Sequence, residues 1–116
     1  MSQKTTGSQL SIAVERSDNV VVVKCKGRLV AGVNEDFYAE VRQLLPGCQR
    51  MVLDFAELSH MDSMGLGSLV RLYVSAKSAG CVLELTNVGK PIRHLLGITH
   101  MLSVFESIGE NKIKMM

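Results

Sequence analysis

His60-Met61-Asp62-Ser63-Met64-Gly65-Leu66-Gly67-Ser68-Leu69-Val70 is the stretch on which the fold turns. Behind it runs Met51-Val52-Leu53-Asp54-Phe55, nearly all apolar, as in a strand covered on both faces. Ahead of it a helical pattern extends from about Ser63 to Ala79 and stops at Gly80. Leu66, Leu69, Val70, Tyr73 and Ala76 form its inner stripe, with Arg71, Lys77 and Ser78 on the wet side. An Asp-Ser pair therefore sits where a strand becomes a helix. A helix start offers unpaired N–H groups and the positive end of the dipole, which suit an anion. Two compatible readings follow. Asp62 or Ser63 caps the helix, or Ser63 accepts a phosphate and Asp62 orients its hydroxyl. Gly65 and Gly67 either let a partner's backbone come close or relieve crowding against the sheet; packing is the expectation at Gly67. Ser59 and Ser68 are secondary acceptor candidates.

Upstream, Gln9 to Val14 reads as a strand, Ser17-Asp18-Asn19 as a turn, and Val20 to Lys26 as a second strand ended by Gly27. The pair predicts an N-terminal antiparallel hairpin. A helix then starts near Asn34, with Asn34 as its cap, Val33 stapled to Tyr38, and Glu35 and Asp36 in the positive first turn. Phe37, Val41, Leu44 and Leu45 follow at helical spacing, and Pro46-Gly47 stops the run. Downstream come a strand at Val82 to Thr86, a turn at Asn87-Val88-Gly89, and a short helix from Pro91 that ends at Gly97, with Ile92, Leu95 and Leu96 inward. Ser103-Val104-Phe105 reads as a last short strand, and the tail from Ile108 to Met116 is ambiguous, a frayed helix being the reading it offers. Residues 1–8 are expected to form a flexible tail and 9–116 a single domain. The order β-β-α-β-α-β-α predicts an α/β fold: a mixed four- to five-stranded sheet with packed helices.

Composition narrows the function classes. The 116 residues suffice for a real core. A net charge of +2 with scattered Lys and Arg gives no nucleic-acid or anionic-membrane surface. No apolar run approaches a membrane span and the N-terminus has no signal-peptide core, so a cytoplasmic protein is expected. Three cysteines, widely spaced and odd in number, argue against a disulfide framework or zinc site. Cys25 and Cys81 fall in or beside strands and should be buried; Cys48, after Pro46-Gly47, should be exposed. His60, His94 and His100 lack ligand spacing, so no metal and no cofactor is expected. There is no Gly-x-Ser-x-Gly elbow and no P-loop, which argues against an enzyme.

Gly27-Arg28-Leu29, Val52-Leu53-Asp54-Phe55, Leu58-Ser59-His60-Met61-Asp62-Ser63-Met64-Gly65-Leu66-Gly67, Ala79-Gly80-Cys81 and Val88-Gly89-Lys90-Pro91-Ile92-Arg93-His94-Leu95-Leu96 together resemble the STAS domain, the fold of bacterial anti-sigma factor antagonists. The resemblance covers about residues 9–106. It implies that Ser63 is the phosphoacceptor, set in a partner-binding loop of Ser59, His60, Asp62, Met64, Gly65, Leu66 and Gly67. It implies a partner that is an anti-sigma factor with a GHKL-type serine kinase fold, bound by the unphosphorylated form so that the sigma factor is freed. A PP2C-type phosphatase acting on phospho-Ser63 would restore binding. Two positions depart from the pattern: many antagonists have Gly-x-Leu-Asp where this chain ends in Val30, and the residue after the serine, often small, is Met64. Met64 is expected either at the interface or tucked under the loop. The other function carried by such domains is a constitutive scaffold subunit of a stress-sensing assembly or lipid transporter.

Overall fold

Residues 2–5, 9–98, 105–107 and 112–115 are described by the computed structural model. Ser2–Thr5 (β1) pairs antiparallel with Leu10–Ser17 (β2), so part of the expected tail is an edge strand. β2 turns through Asp18 and Asn19 into Val20–Leu29 (β3), completing the expected hairpin with Ser17 opposite Val20. Alternation sends Leu10, Ile12 and Val14 of β2, and Val21, Val23 and Cys25 of β3, into the core.

Gly27 does not end β3. It adopts φ 111°, a Cβ there would overlap the Gln9 carbonyl, and the next residue, Arg28, donates its N–H to that carbonyl at 2.9 Å. The strand is thus bent at a position only glycine fills, and runs on to Leu29. The central strand, Arg50–Met61 (β4), lies parallel to β3 and continues well past the predicted Phe55. Register shifts at Lys24/Lys26 and Gly27/Arg28 disturb the pairing. Beyond Phe55 the burial pattern of β4 loses its strict alternation, which hides the extension from a period-two reading.

Asn34–Arg42 (α1) follows β3. Its cap is Val33, with no side-chain hydrogen bond, and not Asn34. Asn34 is instead buried in the first turn, where its amide donates to Ser68 Oγ at 3.2 Å. Phe37, Val41 and Leu45 are buried and Leu44 half-buried. Ser63–Ser78 (α2) buries Leu66, Leu69, Leu72 and Ala76. Val70 and Tyr73, expected inward, are half-buried, and Leu72 takes the central place. Val82–Thr86 (β5) pairs parallel with β4. Lys90–Ile98 (α3) starts one residue before Pro91 and runs past Gly97, burying Ile92 and Leu96.

Phe105–Ser107 (β6) overlaps the expected last strand at Phe105; Ser103 and Val104 lie outside the described residues. Lys112–Met115 (β7) is a strand, not a helix, and pairs antiparallel with β5 and β6. The sheet order is β1-β2-β3-β4-β5-β7-β6. Its centre, β2 to β5, is the expected mixed sheet, extended to seven strands by short edge strands. Because β3, β4 and β5 run parallel, their C-terminal ends and the start of α2 share one end of the molecule. The loops leading into β4 and β5 share the other.

Candidate functional site

The last residue before α2 organises its end of the sheet. Asp62 has extended backbone, φ −104° and ψ −174°, and its side chain caps the helix. Oδ1 accepts the N–H groups of Met64 at 3.0 Å and Gly65 at 2.9 Å. Oδ2 accepts the N–H of Ala31 at 2.9 Å, just past β3. The Asp62 N–H in turn donates to the Leu29 carbonyl at 3.4 Å. One carboxylate therefore fastens the helix start to the end of the neighbouring strand. Partial burial pushes its pKa up, but the backbone donors of Ala31, Gly65, Met64 and Asp62 itself together outweigh burial and hold it below the usual carboxylate range.

Those bonds change the anion argument. The Met64 and Gly65 N–H groups, which would face an anion at a helix start, are already taken by Asp62, and the Leu66 N–H donates to the Asp62 carbonyl at 2.9 Å. The first turn is not an open cradle.

Ser63 is the first helical residue and is exposed. Among the described residues its hydroxyl has no hydrogen-bond partner. Asp62 does not orient it: the carboxylate's hydrogen bonds run to the backbone donors of Ala31, Met64 and Gly65, and none runs to Ser63. Met64 is 52% exposed, so it is not tucked under the loop.

The two glycines part company. Gly65 is buried, and a Cβ there would overlap the Leu29 carbonyl oxygen. Gly67 is exposed with open space where its Cβ would go, so the packing role expected of Gly67 belongs to Gly65. Leu66 also leaves the proposed contact loop: it is buried in the core. Ser59 and His60 are exposed and linked, with Ser59 Oγ donating to the Gly27 carbonyl at 2.9 Å and lying 3.0 Å from His60 Nδ1. Ser68 is not a secondary acceptor. It is 1% exposed, and its Oγ donates to the Asn34 carbonyl at 3.1 Å. The outward set is Ser59, His60, Ser63, Met64 and Gly67, with Asp62 beneath it.

Val30, at the position where the pattern often has an acid, is half-buried against the core. Its carbonyl accepts the N–H groups of Val33 and Asn34 at 3.1 and 3.2 Å. Ala31 and Leu29, which hold Asp62, act through backbone atoms and so leave no mark in a sequence. Behind the site, α1 and α2 are locked by Arg71. Its Nη1 lies 2.8 and 2.9 Å from the two carboxylate oxygens of Glu35, and its guanidinium sits 4.0 Å from the Tyr38 ring centre. Tyr38 and Ser75 share a hydroxyl hydrogen bond of 2.9 Å. Among the described residues no group of three His, Cys, Asp or Glu side chains converges as a metal site, and no helix is long and apolar enough to cross a membrane.

The STAS domain family profile matches residues 11–114. A STAS-domain containing protein of Pseudomonas aeruginosa (strain UCBPP-PA14) is 24% identical over 86 residues, covering 74% of this chain and 85% of its own. Among solved structures, the anti-sigma factor antagonist SpoIIAA in its unphosphorylated form is similar with a TM-score of 0.63 at 20% identity, over 75% of this chain and 82% of that one. The phosphorylated form of SpoIIAA, a Bacillus cell fate determinant, gives 0.66 at 19% identity, over 85% and 92%. A sulfate transporter family protein from Wolinella succinogenes gives 0.65 at 19% identity, over 73% and 70%. At these identities the likeness to solved structures establishes the fold.

Proposed function

The chain belongs to the STAS domain family, and on that premise we propose that it is an anti-sigma factor antagonist switched at Ser63. In this reading the unphosphorylated protein binds an anti-sigma factor of GHKL-type serine kinase fold in the cytoplasm and frees the sigma factor. Phosphorylation of Ser63 ends binding, and a PP2C-type phosphatase restores it. The observation that carries the reading is the exposed hydroxyl of Ser63, without a hydrogen-bond partner among the described residues, beside a carboxylate that is already immobilised. A kinase can reach such a hydroxyl without unfolding the helix. The phosphate adds about −1.5 to −2 charges at neutral pH, next to a second negative charge that cannot turn away. Met64, exposed on the next residue, supplies an adaptable apolar contact.

The test is a paired capture from extract of the source cells, with Ser63→Ala and Ser63→Glu as baits and mass spectrometry as readout. A GHKL-type kinase held by the alanine form and lost by the glutamate form supports the switch. In a second step that kinase should transfer phosphate to the unaltered chain and not to Ser63→Ala. Identical partners on both baits refute it. That outcome favours a constitutive scaffold, the reading to which the apolar Val30 lends weight and which fits the likeness to a transporter family protein.

A further inference from the structure

Cys48 and Cys81 lie at the end of the sheet remote from Ser63, in the segments that lead into β4 and β5. Contrary to the exposure expected for Cys48, both are buried, at 4% and 5%. Their sulfurs are 3.2 Å apart, Cys81 Sγ donating to Cys48 Sγ, while Cys48 Sγ donates to the Arg50 carbonyl at 3.1 Å. The segments that carry them are aligned by backbone: the Val82 N–H donates to the Gln49 carbonyl at 2.9 Å, and the Cys81 N–H to the Ala76 carbonyl at 2.8 Å. A disulfide bond of about 2.05 Å needs the sulfurs to close by roughly 1 Å. That is within reach of side-chain rotation plus a small loop adjustment. The third cysteine is isolated in the core, with the Val23 carbonyl 3.9 Å from its sulfur.

We propose that Cys48 and Cys81 are a covalent modification site: a reversible intramolecular disulfide that ties the α1–β4 loop to the α2–β5 junction. The oxidant is a low-molecular-weight disulfide. The Cys48 thiolate attacks one of its sulfurs, forming a mixed disulfide and expelling one thiolate. The Cys81 thiolate then attacks the Cys48 sulfur and expels the second small thiol. Two protein thiols are oxidised, one small disulfide is reduced to two thiols, and the two protein protons go to the leaving thiolates.

Burial first, then the neighbouring Cys48, pushes the Cys81 thiol up to about 12. The closed pair is therefore slow to react, and exchange proceeds through opening of the loop around Pro46 and Gly47, both exposed. Oxidation should be slow at neutral pH and faster in mild alkali. The inference is independent of the role given to Ser63.

The reduced full-length protein is equilibrated with mixtures of oxidised and reduced glutathione, quenched in acid, unfolded and alkylated. Alkylated thiols should fall from three to one, leaving Cys25, and an unreduced digest should contain Cys48 joined to Cys81. The cross-linked form should melt about 10 °C above the reduced form, the shift expected for closing a loop of this length in a small domain. Cys25→Ala should keep the cross-link; Cys48→Ala and Cys81→Ala should abolish it and the thermal shift. Three alkylated thiols at every ratio, glutathione adducts alone, pairing through Cys25, or a lower melting point after oxidation would each overturn the proposal. The unsubstituted protein decides the matter even if a variant fails to fold.

Discussion

Alanine at Gly65 and alanine at Gly67 are expected to move stability in opposite directions, although the two glycines are two residues apart on one helix. Within a helix alanine is favoured over glycine by about 1 kcal/mol. At Gly67 nothing stands within 4 Å of the added carbon, so Gly67→Ala should collect most of that gain, about 0.5–1 kcal/mol. At Gly65 the added carbon would overlap the Leu29 carbonyl oxygen and come within 3.0 Å of Leu29 Cγ. Leu29 is fully buried on β3 and cannot retreat. The start of α2 must lift instead, stretching the Asp62 bonds to Ala31 and to the Leu29 carbonyl. Overpacking costs roughly 1–3 kcal/mol, and against a backbone carbonyl that cannot yield it falls at the upper end, roughly 2–3 kcal/mol. Combined with the helix gain, Gly65→Ala should lose about 1–2 kcal/mol, and the two variants should differ by about 2–3 kcal/mol. Urea unfolding at neutral pH reads this directly, and thermal midpoints should separate by roughly 10 °C. A Gly65→Ala protein as stable as the unsubstituted chain would refute the close seating of α2 on β3. If Gly67 is also where a partner's backbone approaches, Gly67→Ala should bind that partner less well while folding better.

Asp62→Ala should cost about 1–2 kcal/mol at neutral pH, from the lost helix cap and the Ala31 tie. Because the folded carboxyl is held below its ordinary range, its contribution is complete above the unfolded value near 4 and fades as pH falls through the lower folded value. The stability gap between Asp62→Ala and the unsubstituted chain should therefore narrow in acid; thermal denaturation at pH 3 that shows a wider gap would contradict the assignment. Ser68→Ala removes the acceptor of the buried Asn34 amide and the donor to its carbonyl, and should cost about 1–3 kcal/mol in chemical denaturation. An unchanged midpoint would mean that the α1–α2 polar contact contributes nothing.

The hairpin, the central strand, α2 and β5 were readable because each has a strong local signal: a turn cluster, an apolar run, a helical stripe with a glycine stop. What failed to show was set by neighbours at long sequence distance. Gly27 reads as a terminator, and only the approach of Gln9 makes it a bend inside β3. Asn34 has the chemistry of a cap, yet Ser68, on another helix, claims its side chain. Cys48 follows a turn pair, yet Cys81 lies against it. The strand at 112–115, Lys-Ile-Lys-Met, alternates polar and apolar residues, but over four positions that alternation is too short to stand out, and the strand exists through pairing with β5 and β6. At the site, the Asp-Ser pair announces a cap and an exposed hydroxyl, and both are there. The roles of Gly65 and Gly67 could not be assigned from sequence, since they depend on where Leu29 lies.

The occupied first turn bears on how a phosphate at Ser63 would act. In an open helix start, phosphate can be drawn into the free N–H groups and change the local fold. Here Asp62 already holds the Met64 and Gly65 donors and is itself held by Ala31. To seat on those donors, phosphate would have to displace a carboxylate with three backbone bonds, against its own repulsion. The cheaper course is to remain outward. On the proposed reading the modification therefore works on the partner, by adding charge and bulk beside Met64, and leaves the domain's structure as it was. The fixed carboxylate then has two functions that cannot be separated by removing it: it keeps the helix anchored in both states, and it forces the phosphate toward whatever is bound. Asp62→Asn separates them at the cap: its amide oxygen still accepts from Met64 and Gly65 while the charge is gone, and the Ala31 tie, which needs a second acceptor, is the one anchor given up. A phospho-Ser63 protein carrying Asp62→Asn should release its partner less completely than one with the carboxylate, with little change in fold. Equal release would mean that bulk alone, and not the paired charges, breaks the contact.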